Sequence, residues 1–153
     1  MSVLREQLRA QSPELHAALE RSWEVAFDEW LPAVAPNMDS FNSYPHIRNL
    51  ENYLAKLIVG RGRKQHQDPL LSPLELYVLL TCVLLHDIGK AGDPPDPKTN
   101  GRASQHDKRS ERIVRDNWAH LGIPSRGLAL SIGKICGVHA AEVVAVHHAR
   151  HAG

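Results

Sequence analysis

His86 and Asp87 stand side by side directly after the most apolar stretch of the chain, in the segment Leu84 to Lys90. A charged group at the end of a hydrophobic helix is costly to bury unless it has a partner. A bound metal ion is a suitable partner, because it takes both an imidazole nitrogen and a carboxylate oxygen. The pair therefore predicts a metal site at this position.

Three further histidines fall on predicted helix faces that could meet this pair. They and the residues that share their faces are His46 with Leu50, Tyr53 and Leu57, His106 with Ser110, Ile113 and Asn117, and His139 with Leu128, Ile132 and Ile135. One histidine on an apolar face is usually a hydrogen-bonded core residue. Several that converge on an aspartate are harder to explain without a shared ligand, and helical bundles build metal sites in this way.

The elements that must position these side chains read as helices, with no strand pattern, which predicts an all-α bundle of about five to seven helices. The first two predicted helices run from Pro13, capped by Ser12, to Trp30 and from about Pro45 to Val59. The third runs from the capping box Ser72–Glu75 through Leu85, and the fourth from about Gln105, capped by Ser104, to Leu121, closed by Gly122. The last two run from about Ser125 to Val138 and from Ala140 to Ala149. The helix that ends at Leu85 is apolar on all sides and should be central. Gly89 is the predicted stop after it.

Length and charge limit the possible classes of protein. The 153 residues suit one domain, and a net charge of +1 gives no general field for nucleic acid or membrane. Ten histidines are the unusual feature of the composition, and Cys82 and Cys136 read as buried reduced thiols. We see no signal peptide and no apolar run long enough to span a bilayer, so we expect a cytoplasmic protein.

The pattern resembles the HD-domain superfamily of metal-dependent phosphohydrolases, over roughly Tyr44 to His139. The carrying residues are His46, the segment from Leu84 to Lys90, and His106 and His139 beyond it. The resemblance implies an all-helical fold in which His46, His86 and Asp87 ligate a first divalent metal, while histidines like His106 and His139 hold a second.

The family usually supplies a last aspartate after the final histidine, and here only Glu142 follows as an acid. The open readings are a chain truncated at its C-terminus, a substitution by Glu142, or a degenerate site. The chain also resembles, more weakly, HD domains that are fused to or associated with further domains.

The chemistry expected of such a site is hydrolysis of a phosphomonoester or phosphodiester, most simply of a nucleotide or cyclic nucleotide. One or two ions of Mn, Fe, Co, Ni, Zn or Mg would serve as cofactor, and Asp87 and Lys90 are the predicted catalytic residues. Arg48, Lys90 and Arg109 are the predicted contacts to substrate phosphate, although each is equally or better explained as an ordinary surface or helix-end charge. The alternatives are a metal-dependent nuclease and a non-catalytic sensing or interaction domain of the same fold.

Overall fold

The computed structural model describes residues 2–30, 32, 44–59, 71–91 and 105–138, and these residues form helices and turns without any strand. The helices are α1 (Val3–Gln11), α2 (Pro13–Val25), α3 (Tyr44–Val59), α4 (Pro73–Leu85), α5 (His106–Asp116) and α6 (Arg126–Cys136). A π-helical turn, Ala26–Trp30, extends α2, and a 3-10 turn, Ile88–Ala91, follows α4. The predicted all-α class is confirmed.

Helix α4 is the centre of the bundle, as its sequence predicts. Its capping box is formed, because the Glu75 amide donates to the Ser72 hydroxyl at 3.2 Å and the Ser72 amide donates to the Glu75 carboxylate at 2.7 Å. Leu76, Tyr77 and all residues in the range 80–85 are buried. Helices α1, α2, α3 and α6 all pack against it, so the end of α4 lies where several helices meet.

Helix α1 is an element that the sequence analysis did not predict. Its buried side includes Leu4 and Leu8. The Arg5 Nε donates to the Glu51 carboxylate of α3 at 2.9 Å, and the guanidinium lies 3.9 Å from the centre of the Trp23 ring. Because Glu51 is only 1% exposed, this ion pair joins α1 to the helix that carries His46 inside the bundle.

The predicted end of α4 at Leu85 is confirmed, whereas the predicted cap of α5 is wrong. Helix α4 ends at Leu85, with His86 as its C-cap residue, and Gly89 lies beyond it inside the 3-10 turn. Helix α5 begins after Gln105, which adopts the left-handed conformation with φ 62° and makes no side-chain cap, so Ser104 is not the N-cap residue.

The end of α5 also differs from its prediction. The helix stops at Asp116 rather than Leu121, and an irregular turn leads to Gly122, whose φ of 75° suits glycine. The predicted helix from Ala140 to Ala149 lies outside the described residues.

Both cysteines are free and buried, as predicted. A hydrogen bond with Cys82, and then burial, raise the pKa of the Cys136 thiol.

None of the helices in the described ranges is long and apolar enough to cross a bilayer.

Candidate metal centre

The candidate centre lies where the start of α3 meets the end of α4. His46 is in the first turn of α3, His86 caps α4, and Asp87 follows it. One ligand atom from each of these three residues lies within 4.8 Å of the other two. Ligands on one transition-metal ion are at most about 4.4 Å apart, because each bond is about 2.0–2.2 Å. A small inward movement of the side chains would therefore bring the three atoms to ligating distance.

The orientation of the His86 ring follows from its backbone contact. The ring Nδ1 lies 2.8 Å from the Val83 carbonyl oxygen. A carbonyl oxygen can only accept, so Nδ1 carries the proton and donates it. The other nitrogen, Nε2, lies 3.3 Å from Asp87 Oδ2. In the neutral ring Nε2 is an acceptor, so a cation placed beside Nε2 and Oδ2 would interact favourably with both atoms.

The Asp87 carboxylate is buried and is contacted on both oxygens. His106 Nε2 lies 3.1 Å from Oδ1, and the Lys90 ammonium donates to Oδ2 at 2.7 Å. His106 thus reaches the centre through Asp87, and it is not among the three residues whose ligand atoms cluster. Hydrogen bonds of this kind fix the direction in which a carboxylate presents its lone pairs.

His46 is the third member of the group, and its surroundings favour the neutral ring. Burial, and then the charge of His86, lower its pKa from the ordinary value of 6.5, while Asp87 acts in the opposite direction. Only an unprotonated imidazole nitrogen can ligate a metal. The ring centres of His46 and His86 are 6.1 Å apart, so both rings border the same space.

The helix face predicted for His46 is wrong. Tyr53 and Leu57 are 63% and 77% exposed. The residues of α3 that pack into the core are Ile47, Leu50, Glu51, Leu54, Ala55 and Ile58. His46 stands at the border of this core face, half-buried.

The predicted substrate contacts Arg48 and Arg109 are used elsewhere in the fold. Arg48 donates to the Tyr44 hydroxyl and lines a pocket with Arg5 and Trp23. Residues two positions apart on an α-helix differ by about 200° in direction, so Arg48 and His46 lie on different sides of α3. The Arg109 Nε donates to the Gly89 carbonyl at 2.9 Å. Both residues stay predictions as phosphate contacts at this centre.

The second predicted metal stays a prediction, because His139 and Glu142 lie outside the described residues.

The sequence analysis missed the Val83 carbonyl, and it named Ser110 only as a residue on the same helix face as His106. Val83 stands one turn before the C-cap residue, where the last helical carbonyls lack backbone partners, and that position was a usable signal.

The described fold and site define a class: a helical bundle with a histidine–aspartate group at the end of its central helix, the arrangement of HD-type domains. The model of one such family, HD-CE, matches residues 44–152, and the chain belongs to this family. Neither the curated proteins nor the solved structures gave a match.

Proposed function

We propose that this protein is a metal-dependent phosphohydrolase that cleaves a phosphate ester of a nucleotide or cyclic nucleotide. The observation that carries the proposal is the facing pair of acceptors, His86 Nε2 and Asp87 Oδ2, 3.3 Å apart with His46 within 4.8 Å. Two nitrogens and one carboxylate oxygen form a donor set that suits first-row transition metals better than calcium.

A divalent ion held by His46, His86 and Asp87 would supply Lewis acidity and a water of lowered pKa, which phosphate-ester hydrolysis requires near neutral pH. The residues around it have separate tasks. The Val83 carbonyl fixes the tautomer of His86, and His106 holds Asp87 Oδ1. These contacts pre-set the ligand atoms before any substrate arrives.

The charge beside the ligands favours an anionic substrate. Lys90 brings an ammonium group to 2.7 Å from Asp87 Oδ2. The single carboxylate is thus balanced by the lysine, and a bound divalent ion leaves the centre with net positive charge. A phosphoryl group is the common ligand that complements such a centre. The membership in an HD-type family supports the same assignment, and a nucleotide is the substrate class we propose within it.

The first test is metal content together with hydrolysis. Protein purified without chelator should contain a stoichiometric transition metal and should cleave bis-p-nitrophenyl phosphate. His86→Ala and Asp87→Ala should lose both properties while circular dichroism shows the helical fold. His120→Ala is the matched control, because His120 pairs with Glu29 on the surface at 2.6 Å and should change neither.

Each outcome decides between the candidate functions. Metal without hydrolysis of any phosphomonoester, phosphodiester or cyclic nucleotide would favour a non-catalytic domain. Absence of metal from the folded wild-type protein, even after addition of Mn, Co or Zn, would refute the proposal. Faster cleavage of single-stranded DNA than of mononucleotides would replace it with a nuclease.

A further inference from the structure

The 3-10 turn that follows Asp87 is held by two consecutive residues of α5. The Gly89 amide donates to the Ser110 hydroxyl at 2.9 Å, and the Arg109 Nε donates to the Gly89 carbonyl at 2.9 Å. Both backbone polar groups of one glycine are therefore bound by side chains of a helix about twenty residues further along the chain. A turn with one such bond could pivot about it, whereas two bonds fix its orientation.

The Ser110 hydroxyl continues this connection to His106. Its proton is donated to the His106 carbonyl at 2.9 Å, while its oxygen accepts from Gly89. The other end of His106 returns to the start, because its Nε2 lies 3.1 Å from Asp87 Oδ1. The contacts form a closed ring that runs from Asp87 through Gly89, Ser110 and His106 back to Asp87.

The close approach of the turn to α5 requires glycine. A Cβ atom at position 89 would lie 2.1 Å from the His106 carbonyl oxygen and 2.6 Å from the Ser110 amide nitrogen. Both are backbone atoms, so a larger residue would push the turn away from α5. Gly89 is thus explained by packing against α5 and not by helix termination.

We infer that Ser110 and Arg109 are positioning residues that set the carboxylate of Asp87 for metal binding through the 3-10 turn and His106. This inference rests on the proposed function, since it concerns the same centre. Neither residue needs to touch metal or substrate. Ser110 is fully buried, and its hydroxyl has a donor on one side and an acceptor on the other, so alanine would leave the Gly89 amide without its acceptor.

The test measures the affinity of the metal-free protein for Co²⁺. Binding is monitored by visible absorption, well below the melting temperature of each variant. Ser110→Ala should weaken binding by about tenfold or more, the usual effect of removing a residue that orients a metal ligand. Ser131→Ala is the matched control, because its hydroxyl also donates to the carbonyl four residues earlier, that of Gly127, at 3.3 Å, but on an exposed surface. Wild-type affinity is expected for this control.

Further variants keep the inference falsifiable if Ser110→Ala does not fold. Arg109→Lys, at a half-buried position, should also weaken Co²⁺ binding, and the exposed neighbour change Lys108→Ala should not. Ser110→Thr, which restores the hydroxyl, should bind more tightly than Ser110→Ala. Wild-type affinity in folded Ser110→Ala or in Arg109→Lys would overturn the inference alone. No Co²⁺ binding by wild-type protein would overturn the proposed function, and the inference with it.

Discussion

Lys90 holds the carboxylate oxygen that a metal ion would use. Its ammonium lies 2.7 Å from Asp87 Oδ2, the same oxygen that faces His86 Nε2 at 3.3 Å. An ammonium group and a bound divalent cation would therefore compete for one anionic atom. We expect Lys90→Met, which keeps most of the length of the side chain and removes its charge, to bind metal more tightly than the wild-type protein.

The size of this effect follows from the contact that metal binding must displace. A hydrogen bond between charged groups contributes about 1.5–3 kcal/mol net. The Lys90 and Asp87 side chains are only 10% and 9% exposed, so solvent screening should reduce this contribution little. Since about 1.4 kcal/mol corresponds to a factor of ten, the dissociation constant should fall by about 10- to 100-fold. The hydrolytic rate should fall at the same time, because the ammonium no longer meets the phosphoryl group.

The assay is a Co²⁺ titration of metal-free protein, combined with steady-state hydrolysis of a phosphodiester at saturating metal. Lys108→Met is the control, because Lys108 is 61% exposed on α5 and should leave both measurements unchanged. Unchanged or weaker Co²⁺ binding in a folded Lys90→Met variant would refute the competition. An undiminished rate would remove Lys90 from the proposed catalytic group.

Three further predictions concern the ligands and the ion pair that supports them. Asp87→Asn should abolish stoichiometric metal binding, measured by elemental analysis, because an amide oxygen carries no charge to offset the cation. Because the folded-state pKa of His46 lies below its ordinary 6.5, the unfolded chain binds a proton at this residue before the folded chain does as pH falls. The titration of His46 should therefore leave the stability of the metal-free protein unchanged above about pH 6.5 and lower it below that pH. In urea titrations, His46→Gln should show a weaker decline. Glu51→Gln breaks a buried ion pair with Arg5 and should cost less than the about 3–5 kcal/mol of a fully uncompensated buried charge, because Arg5 keeps its second partner, Glu20, at 3.3 Å. Chemical denaturation should still show a larger loss than for Glu24→Gln, at an exposed surface pair, which should cost less than about 1 kcal/mol.

The helices that sequence predicted well have their signals within a few residues. The capping box at Ser72 and the cap at Ser12 depend on bonds between neighbours three positions apart, and both are formed as expected. Helix α1 has a local signal of the same kind, because the Ser2 hydroxyl accepts from the Arg5 amide at 3.4 Å, and the sequence analysis missed it. Its position in the bundle is fixed by the pair between Arg5 and Glu51, which are 46 residues apart. A contact of that separation cannot be obtained from local periodicity.

The residues of the candidate site also separate into those whose contacts are local in sequence and those whose contacts are not. His86, Asp87 and Lys90 lie within one short segment, and the structure brings them into direct contact. Arg109 was predicted to face substrate because of its charge and its place near His106. The structure shows that its Nε donates to the Gly89 carbonyl, and this contact could be identified only once the approach of the 3-10 turn to α5 was known.

His46 explains why hydrophobic periodicity located a candidate ligand while assigning it the wrong neighbours. Such periodicity finds the centre of a core face, and on α3 that centre lies near Ile47 and Glu51, both almost fully buried. A metal ligand that must also admit substrate cannot stand there, because the space is filled by packed side chains. It belongs at the border, where one side of the ring meets the core and the other meets the opening. The half-buried position of His46 satisfies both requirements, and its lowered pKa follows from the same partial burial.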